Sequence, residues 1–521
     1  MTDTADPQPG KAGKFRDHIA DHTRRTEQAL SMGGPAKLDK RRAEGHMNAR
    51  ERIDTLLDTG TFTESGLFNT SMQPQDADRT PADGKVAGFG RIDTRRVAVI
   101  SNDFTVKGAS SSPVNTNKME HVKKVAGRNG FPVVFLGEST GARMPDIMGA
   151  KNIIGVNNNP AQYMRLRDNP WAAAVLGHCF GSATWYSAMS DFMVMRKGAC
   201  LAVSSPRLIS MATRQKVEFE DLGGWRLHTE VTGLADLAVD TDAEALTAIR
   251  SYLSYLPSHA NEAPPRVAVP EGSETQADDL LDVIPEGPGQ VYDVKQVIRR
   301  IVDRDSLFEL KARFAKSLVT GLARIDGRSV GIMANNPIHK GGAIDAEACD
   351  KAISFLVHCD SYNIPLVFLV DQPGFLIGVE AERKKMPGKV MNWLNALALV
   401  TVPKFSVIMR KSYGLAVRNM GGSNNADEVA AWWTAEVSFM DPRSGVSVVH
   451  GLAPGDDGYS DKLAEMSRDT SAYDLGAVNG ARAVIDPRGT RAHLAEMLDI
   501  YNDGLRGGIG QHHLRNWPTA F

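Results

Sequence analysis

The stretch from Arg91 to Gly141 recurs, without a gap, from Arg324 to Gly374, at a constant offset of 233 in a chain of 521 residues. Of the 51 aligned positions 14 are identical: Arg91, Ile92, Asp93, Arg95, Val97, Asn102, Lys107, Gly108, Lys118, Pro132, Val134, Phe135, Leu136 and Gly141. Average composition gives about three matches by chance. One domain has therefore been built twice, and any fold assigned to the first copy must also suit the second. Each copy has a strand-like stretch (Val97 to Ile100; Val330 to Met333) leading to Asn102 or Asn335. A polar, glycine-containing loop and a helical stretch follow (Lys118 to Ala126; Ala346 to His358), then a second strand (Val133 to Leu136; Leu366 to Val370) ending in a turn at Gly141 or Gly374. Strands alternating with helices predict α/β domains with a largely parallel sheet, two homologous copies in tandem.

Ahead of each repeat stands a helix and a short strand: Ala49 to Leu57 before Thr61-Phe62-Thr63-Glu64, and Val294 to Val302 before Ser306-Leu307-Phe308-Glu309. These lie 245 apart, so the first copy carries 12 extra residues before Arg91, expected around Met72 to Asp83. Leu256 to Gln290, with six prolines, has the composition of a connection. The expected layout is a first domain at 14–262, a linker at 263–290 and a second domain at 291–521.

Composition narrows the class. The 62 acidic and 60 basic side chains leave a net charge of -2, unlike a nucleic-acid binder. No apolar run approaches the ~18–20 residues of a membrane span, and the polar, acidic start lacks the order of a secretory signal. Cys179, Cys200, Cys349 and Cys359 show no metal-ligand spacing, so no metal is expected. Four reduced packing thiols in a cytoplasmic protein are the reading.

The offset of 233 returns where Phe180-Gly181-Ser182-Ala183 falls on Tyr413-Gly414-Leu415-Ala416. The first turn follows the strand-like Ala172 to Gly177 and precedes Trp185 to Met195, read as a helix; the second follows Lys404 to Arg410. Small residues between a strand and a helix leave backbone N–H groups facing a cleft, a seat for negative charge and a candidate oxyanion hole. Tight strand-to-helix packing is the simpler use of such residues, and recurrence in both copies argues against it. Gly137-Glu138-Ser139-Thr140-Gly141 matches a nucleophile elbow, with Asp371 and His450 as possible partners. The second copy has Gln372 in place of Ser139, so Ser139 reads as a turn residue. Glycine-rich Gly504 to Gly510 follows no strand, and no P-loop is present. Lys107-Gly108 and Lys340-Gly341 occupy equivalent loops where a cation can meet phosphate; like Arg383-Lys384-Lys385, they also suit a solvated surface.

With these turns located, the chain resembles the carboxyltransferase (β) subunits of biotin-dependent acyl-CoA carboxylases, the propionyl-CoA and methylcrotonyl-CoA carboxylase group, from about His46 to Leu498. The matching segments include Asn48 to Asp54, Asn102 to Val106, Ser139 to Arg143, Phe219 to Gly224, Leu253 to Ser258, Val370 to Phe375 and Arg410 to Gly414. The resemblance implies two crotonase-type (ClpP/crotonase) domains and a hexamer with active sites between the N-terminal domain of one subunit and the C-terminal domain of another. It implies transfer of a carboxyl group from carboxybiotin, carried by a partner, to the α-carbon of an acyl-CoA. One oxyanion hole, of Gly181 and Ser182, would hold the thioester enolate; the other, of Leu415 and Ala416, the biotin ureido oxygen. Biotin itself can take the proton, so no side-chain base is demanded. On the CoA and acyl side the resemblance places Lys107, Gly108, Thr140, Gly141, Ala142, Arg143, Ala183 and Arg418. On the biotin side it places Gly374, Phe375, Tyr413, Gly414 and Val417. Biotin carboxylase and biotin carboxyl carrier subunits are implied partners, since no Ala-Met-Lys-Met biotinylation motif and no visible ATP-grasp segment is present.

The chain also departs from the family. Ser182 stands in a usual Gly-Gly pair, Leu415 where glycine or alanine is common, and Arg418 where propionyl-CoA carboxylases have aspartate. Thr140 breaks another glycine pair, and the loop after Val106 reads Lys107-Gly108-Ala109-Ser110-Ser111-Ser112-Pro113. The expectation is an acyl group other than simple propionate, with Arg418 pairing a carboxylate or polar substituent or else serving a subunit interface or facing solvent. A biotin-independent decarboxylase on the same scaffold and a non-catalytic assembly subunit are the alternatives.

Overall fold

The computed structural model describes residues 15–154, 164–287, 289–422, 424–502 and 506–518; residues 504 and 505 of the glycine-rich run, and the outer domain limits at 14 and 521, lie outside them. The first sheet comprises β1 (Thr63–Glu64), β2 (Lys85–Ile92), β3 (Arg95–Asn102), β4 (Val133–Ser139), β5 (Trp171–Phe180), β6 (Phe192–Arg196), β7 (Cys200–Ala202) and β8 (Leu237–Val239). Its order is β1-β2-β3-β4-β5-β6-β8, with β7 pairing beyond β6 on β5. The second contains β9 (Phe308–Leu310), β10 (Leu318–Ile325), β11 (Arg328–Asn335), β12 (Leu366–Gln372), β13 (Lys404–Tyr413), β14 (Glu428–Trp432), β15 (Glu436–Ser438) and β16 (Ala483–Ile485) in the same topology. In each, the first three strands are antiparallel and the rest parallel.

The repeat is tighter in space than in sequence. β2, β3, β4 and β5 start and end 233 residues before β10, β11, β12 and β13. After Tyr413 the offset shifts, and β6 and β7 precede β14 and β15 by 236. Most of the 12 extra residues form the 3-10 turns Pro74–Arg79 and Pro81–Gly84 between β1 and β2. Trp185 to Met195 is not one helix: the helix is Ser182–Ala188, and Phe192–Arg196 is strand β6. Phe192, Met193, Val194 and Met195 are all buried, on both faces of a parallel strand, and such a run carries no alternation to distinguish it from a buried helix.

Strand alternation divides the core. Val97, Val99, Val134 and Leu136 face one cluster with Ile53 and Ile249, whereas Ala98, Ile100, Val133 and Phe135 face another with Met119 and Val122. The first cluster runs on into the second copy through Leu318, Leu322, Phe368 and Val370. Several repeated identities are explained by backbone geometry. Asp93 and Asp326 occupy two-residue hairpin turns at φ 49° and 52°. Lys118 donates to the carbonyls of Ala82 (2.9 Å) and Lys85 (2.7 Å). Its counterpart Lys351 donates to Lys311 (3.0 Å), Phe314 (2.9 Å) and Leu318 (2.6 Å). Both lysines staple the segment entering the sheet, and burial draws them down, to about 8 and about 7.

Where the copies meet, Tyr362 Oη donates to Asp191 (2.6 Å), which also pairs with Arg165 and Arg167. His358 is buried beside this group, between Tyr252 and Tyr362, and neither ring nitrogen has a partner among the described residues. Burial takes its imidazole down to about 4. All four cysteines are buried and free. Among the described residues no helix is long and apolar enough to cross a membrane.

Candidate active site

β5 and β13 each run off the sheet into a glycine with positive φ, Gly181 at 62° and Gly414 at 67°. A side chain there would be strained in the left-handed region. The helices Ser182–Ala188 and Ala416–Asn419 then begin. First-turn N–H groups have no intrahelical acceptor. Among the described residues those of Ser182, Ala183, Leu415 and Ala416 meet none elsewhere. Gly414 N, by contrast, donates to Ser438 O (3.0 Å). By position Ser182 matches Leu415 and Ala183 matches Ala416, while Gly181 N, unlike Gly414 N, also meets no acceptor among the described residues, so Gly181 and Ser182 both offer donors on the first turn. Leu415 is 60% exposed, while Ala416 is buried.

A strap crosses each turn. Ser111 N donates to Gly141 O and Arg143 N to Ser111 O, both at 2.8 Å; Ile344 repeats this with Gly374 O (3.1 Å) and Leu376 N (2.8 Å). Ahead of it, Lys107, Gly108 and Ala109 take φ of 50°, 60° and 50°, and Lys340, Gly341 and Gly342 take 54°, 64° and 82°. Three successive left-handed residues are a costly backbone, held by convergent bonds. Thr140 N donates to Gly108 O (2.9 Å), while Lys85 Nζ (2.8 Å) and Ser139 Oγ (3.0 Å) both donate to Ala109 O. Ser139 Oγ also accepts from Gly141 N (3.1 Å). Ser139 is therefore a buried turn anchor, bonded to Ala109 and Gly141 and not to histidine among the described residues.

The structure brings Lys107, Gly108, Thr140, Gly141, Ala142, Arg143, Gly181, Ser182 and Ala183 together on the first copy through these straps. Not every side chain faces outward. Arg143 is buried, with its guanidinium on Asp83 and Ser110. Lys107 Nζ lies 2.6 Å from Asp76, whose carboxyl it holds below the usual range. Both acids belong to the extra segment, so the two loops are braced by residues that the second copy lacks. Asp76, Asp83 and Lys85 were not singled out from the sequence, the insertion being the available signal for the two acids, and Ser111 was noted only as part of the loop that departs from the family. Behind the turns stand equivalent buried carboxylates. Glu138 meets Arg41 (2.7 and 2.6 Å) and Arg52 (3.0 Å), and Asp371 meets Lys411 (3.1 Å) and Tyr292 Oη (3.0 Å).

On the second copy Gly374, Phe375, Tyr413, Gly414 and Val417 gather around the other turn. Gln372 Nε2 donates to Tyr413 O (3.1 Å), and Tyr413 Oη bonds Glu436. Burial, then this carboxylate, pushes the phenol well above its ordinary value. Arg418 is exposed on the same short helix of the second copy, without an ion pair among the described residues.

Residues 40–513 match the family described as carboxyl transferase domain. The chain belongs to the carboxyl transferase family. It is 36% identical over 516 residues to the propionyl-CoA carboxylase carboxyltransferase subunit of Haloferax mediterranei, covering 96% of this chain and 99% of that one. It is 33% identical over 476 residues to the methylmalonyl-CoA decarboxylase subunit alpha of Veillonella parvula, covering 89% and 92%. Transcarboxylase 12S, a hexamer assembly crystallised with methylmalonyl-coenzyme A and methylmalonic acid, superposes with a TM-score of 0.87 at 33% identity over 94% of this carboxyl transferase chain and 96% of its own. The two sheets in tandem are the two crotonase-type domains expected, and the family is one of acyl-CoA carboxyltransferase enzymes.

Proposed function

We propose that this protein is the carboxyltransferase subunit of a biotin-dependent acyl-CoA carboxylase, acting in the cytoplasm as a homohexamer with biotin carboxylase and biotin carboxyl carrier partners. The observation that carries the reading is the pair of equivalent turns, the first offering three and the second two backbone N–H groups without an acceptor among the described residues. Donors fixed in place before charge develops are worth about 3–4 kcal/mol each to an oxyanion. On the first copy Gly181, Ser182 and Ala183 would hold the thioester oxygen as the α-carbon becomes nucleophilic, with Thr140 to Arg143 and Lys107-Gly108 forming the adjoining wall for CoA. On the second, the free N–H groups of Leu415 and Ala416 fit the ureido oxygen of biotin, with Gly374, Phe375, Tyr413, Gly414 and Val417 around it. When bound, carboxybiotin supplies the carboxyl group. Arg143 acts by holding the wall, and exposed Arg418 reaches a polar acyl substituent.

Mass-spectrometric turnover of malonyl-, methylmalonyl- and glutaconyl-CoA, with and without free biotin, tests this. Biotin-dependent decarboxylation is expected; no turnover in either condition would sink the reading. Arg418→Asp should reorder the three substrates, and an unchanged order removes that role. A second reading, a decarboxylase subunit, is favoured by the Veillonella relative and by the exposed Leu415 beside the second turn. Equal turnover without biotin would establish a biotin-independent form of it.

A further inference from the structure

Two serine hydroxyls meet at the first turn: Ser111 Oγ and Ser182 Oγ lie 2.5 Å apart. Ser111 is buried and Ser182 half-buried. Two hydroxyls carry two hydrogens, and the bond between them uses one. Neither oxygen has another partner among the described residues. With buried Ser111 as donor, the remaining hydrogen sits on Ser182, the more open member. That residue also carries one of the turn's free N–H groups.

The fold does not require these hydroxyls. In the second copy the same positions are Ile344 and Leu415, and Ile344 makes the same two strap bonds with an aliphatic side chain. Nor does a cation fill the role on this strap, because Arg143 is turned inward onto Asp83. The turn's backbone N–H groups serve the thioester oxygen in the mechanism above, so the hydroxyl is left for a second oxygen. Resting on that reading, we propose that Ser111 and Ser182 are specificity-determining residues whose shared hydroxyl donates to an oxygen on the acyl group. The substrate class is then an acyl-CoA bearing a hydroxyl, carbonyl or carboxylate near its α-carbon rather than a plain alkyl chain.

The test is calorimetric titration of the full-length protein, without biotin, using 3-hydroxybutyryl-CoA and butyryl-CoA. These differ by one oxygen, and a neutral hydrogen bond to it gives tighter binding by about tenfold. S111A and S182A bring the ratio toward one, whereas S111T, which keeps the hydroxyl, preserves it. A ratio of one in the unaltered protein, or an undiminished ratio in both alanine variants, overturns the proposal. Because binding is read without biotin, the ratio stands apart from carboxyl transfer. Loss of biotin-dependent turnover refutes the carboxyltransferase reading alone, and a ratio of one refutes the hydroxyl pair alone.

Discussion

Gly108 and Gly341 occupy the same position of the duplicated loop, at φ 60° and 64°, yet their surroundings differ. A Cβ on Gly341 meets nothing within 4 Å, whereas one on Gly108 falls 2.6 Å from Thr140 Cγ2 and 2.9 Å from its Oγ1. Both alanine variants bear the left-handed strain of roughly 1 kcal/mol. Gly108→Ala adds an overpacking cost of about 1–3 kcal/mol. Displacing Thr140 also strains its N–H bond to Gly108 O, worth about 1 kcal/mol. Urea unfolding of the whole protein, followed by tryptophan fluorescence, should therefore show Gly341→Ala losing ~1 kcal/mol and Gly108→Ala ~3 kcal/mol. Thr140→Ala in the Gly108→Ala background removes two of the three nearest colliding atoms and should recover about half the extra loss. Equal losses in the two single variants, or no recovery in the double, would refute the reasoning.

Asp83→Asn leaves the buried Arg143 guanidinium with only the Asp146 carboxylate, 3.8 Å away, as counter-charge; a loss of about 3 kcal/mol is expected by denaturation, with Asp83→Asn/Arg143→Met losing less than the sum of the singles. Lys351→Met strands three carbonyls and Lys118→Met two, so thermal unfolding should show the former costing more by about 1 kcal/mol, and the reverse order would contradict the staple assignment. His358, held down to about 4 by burial, refuses a proton that the unfolded chain accepts below about 6.5. Stability should fall as pH drops from about 6.5 toward 4 and this contribution should flatten below, a slope absent from His358→Phe in pH-resolved denaturation.

The sequence displayed the frame because the frame is duplicated. Strand positions such as Val134, Phe135 and Leu136 face the same burial in both copies, and Lys107-Gly108 recurs because the loop needs left-handed backbone there. Ser139 likewise followed from comparison with Gln372. What the sequence concealed depends on contacts between distant segments. Asp76 and Asp83 gain meaning only when the extra turns fold back over Lys107 and Arg143, and the Ser111–Ser182 contact spans 71 residues. Beyond Tyr413 the register slips, and the buried strand β6 shows no period by which to separate it from a helix.

The apolar cluster shared by the two copies has a consequence for synthesis. Val97, Val99 and Leu136 belong to the same cluster as Phe368 and Val370, residues made more than 200 positions later. At ~5–20 residues per second, the ribosome needs roughly 5–20 s to go from the end of the first copy to Val370. Throughout that interval a nascent first domain presents a greasy unpaired face to the cell. The duplication therefore ties this protein's yield to chaperone capacity and makes an isolated first half a poor expression target.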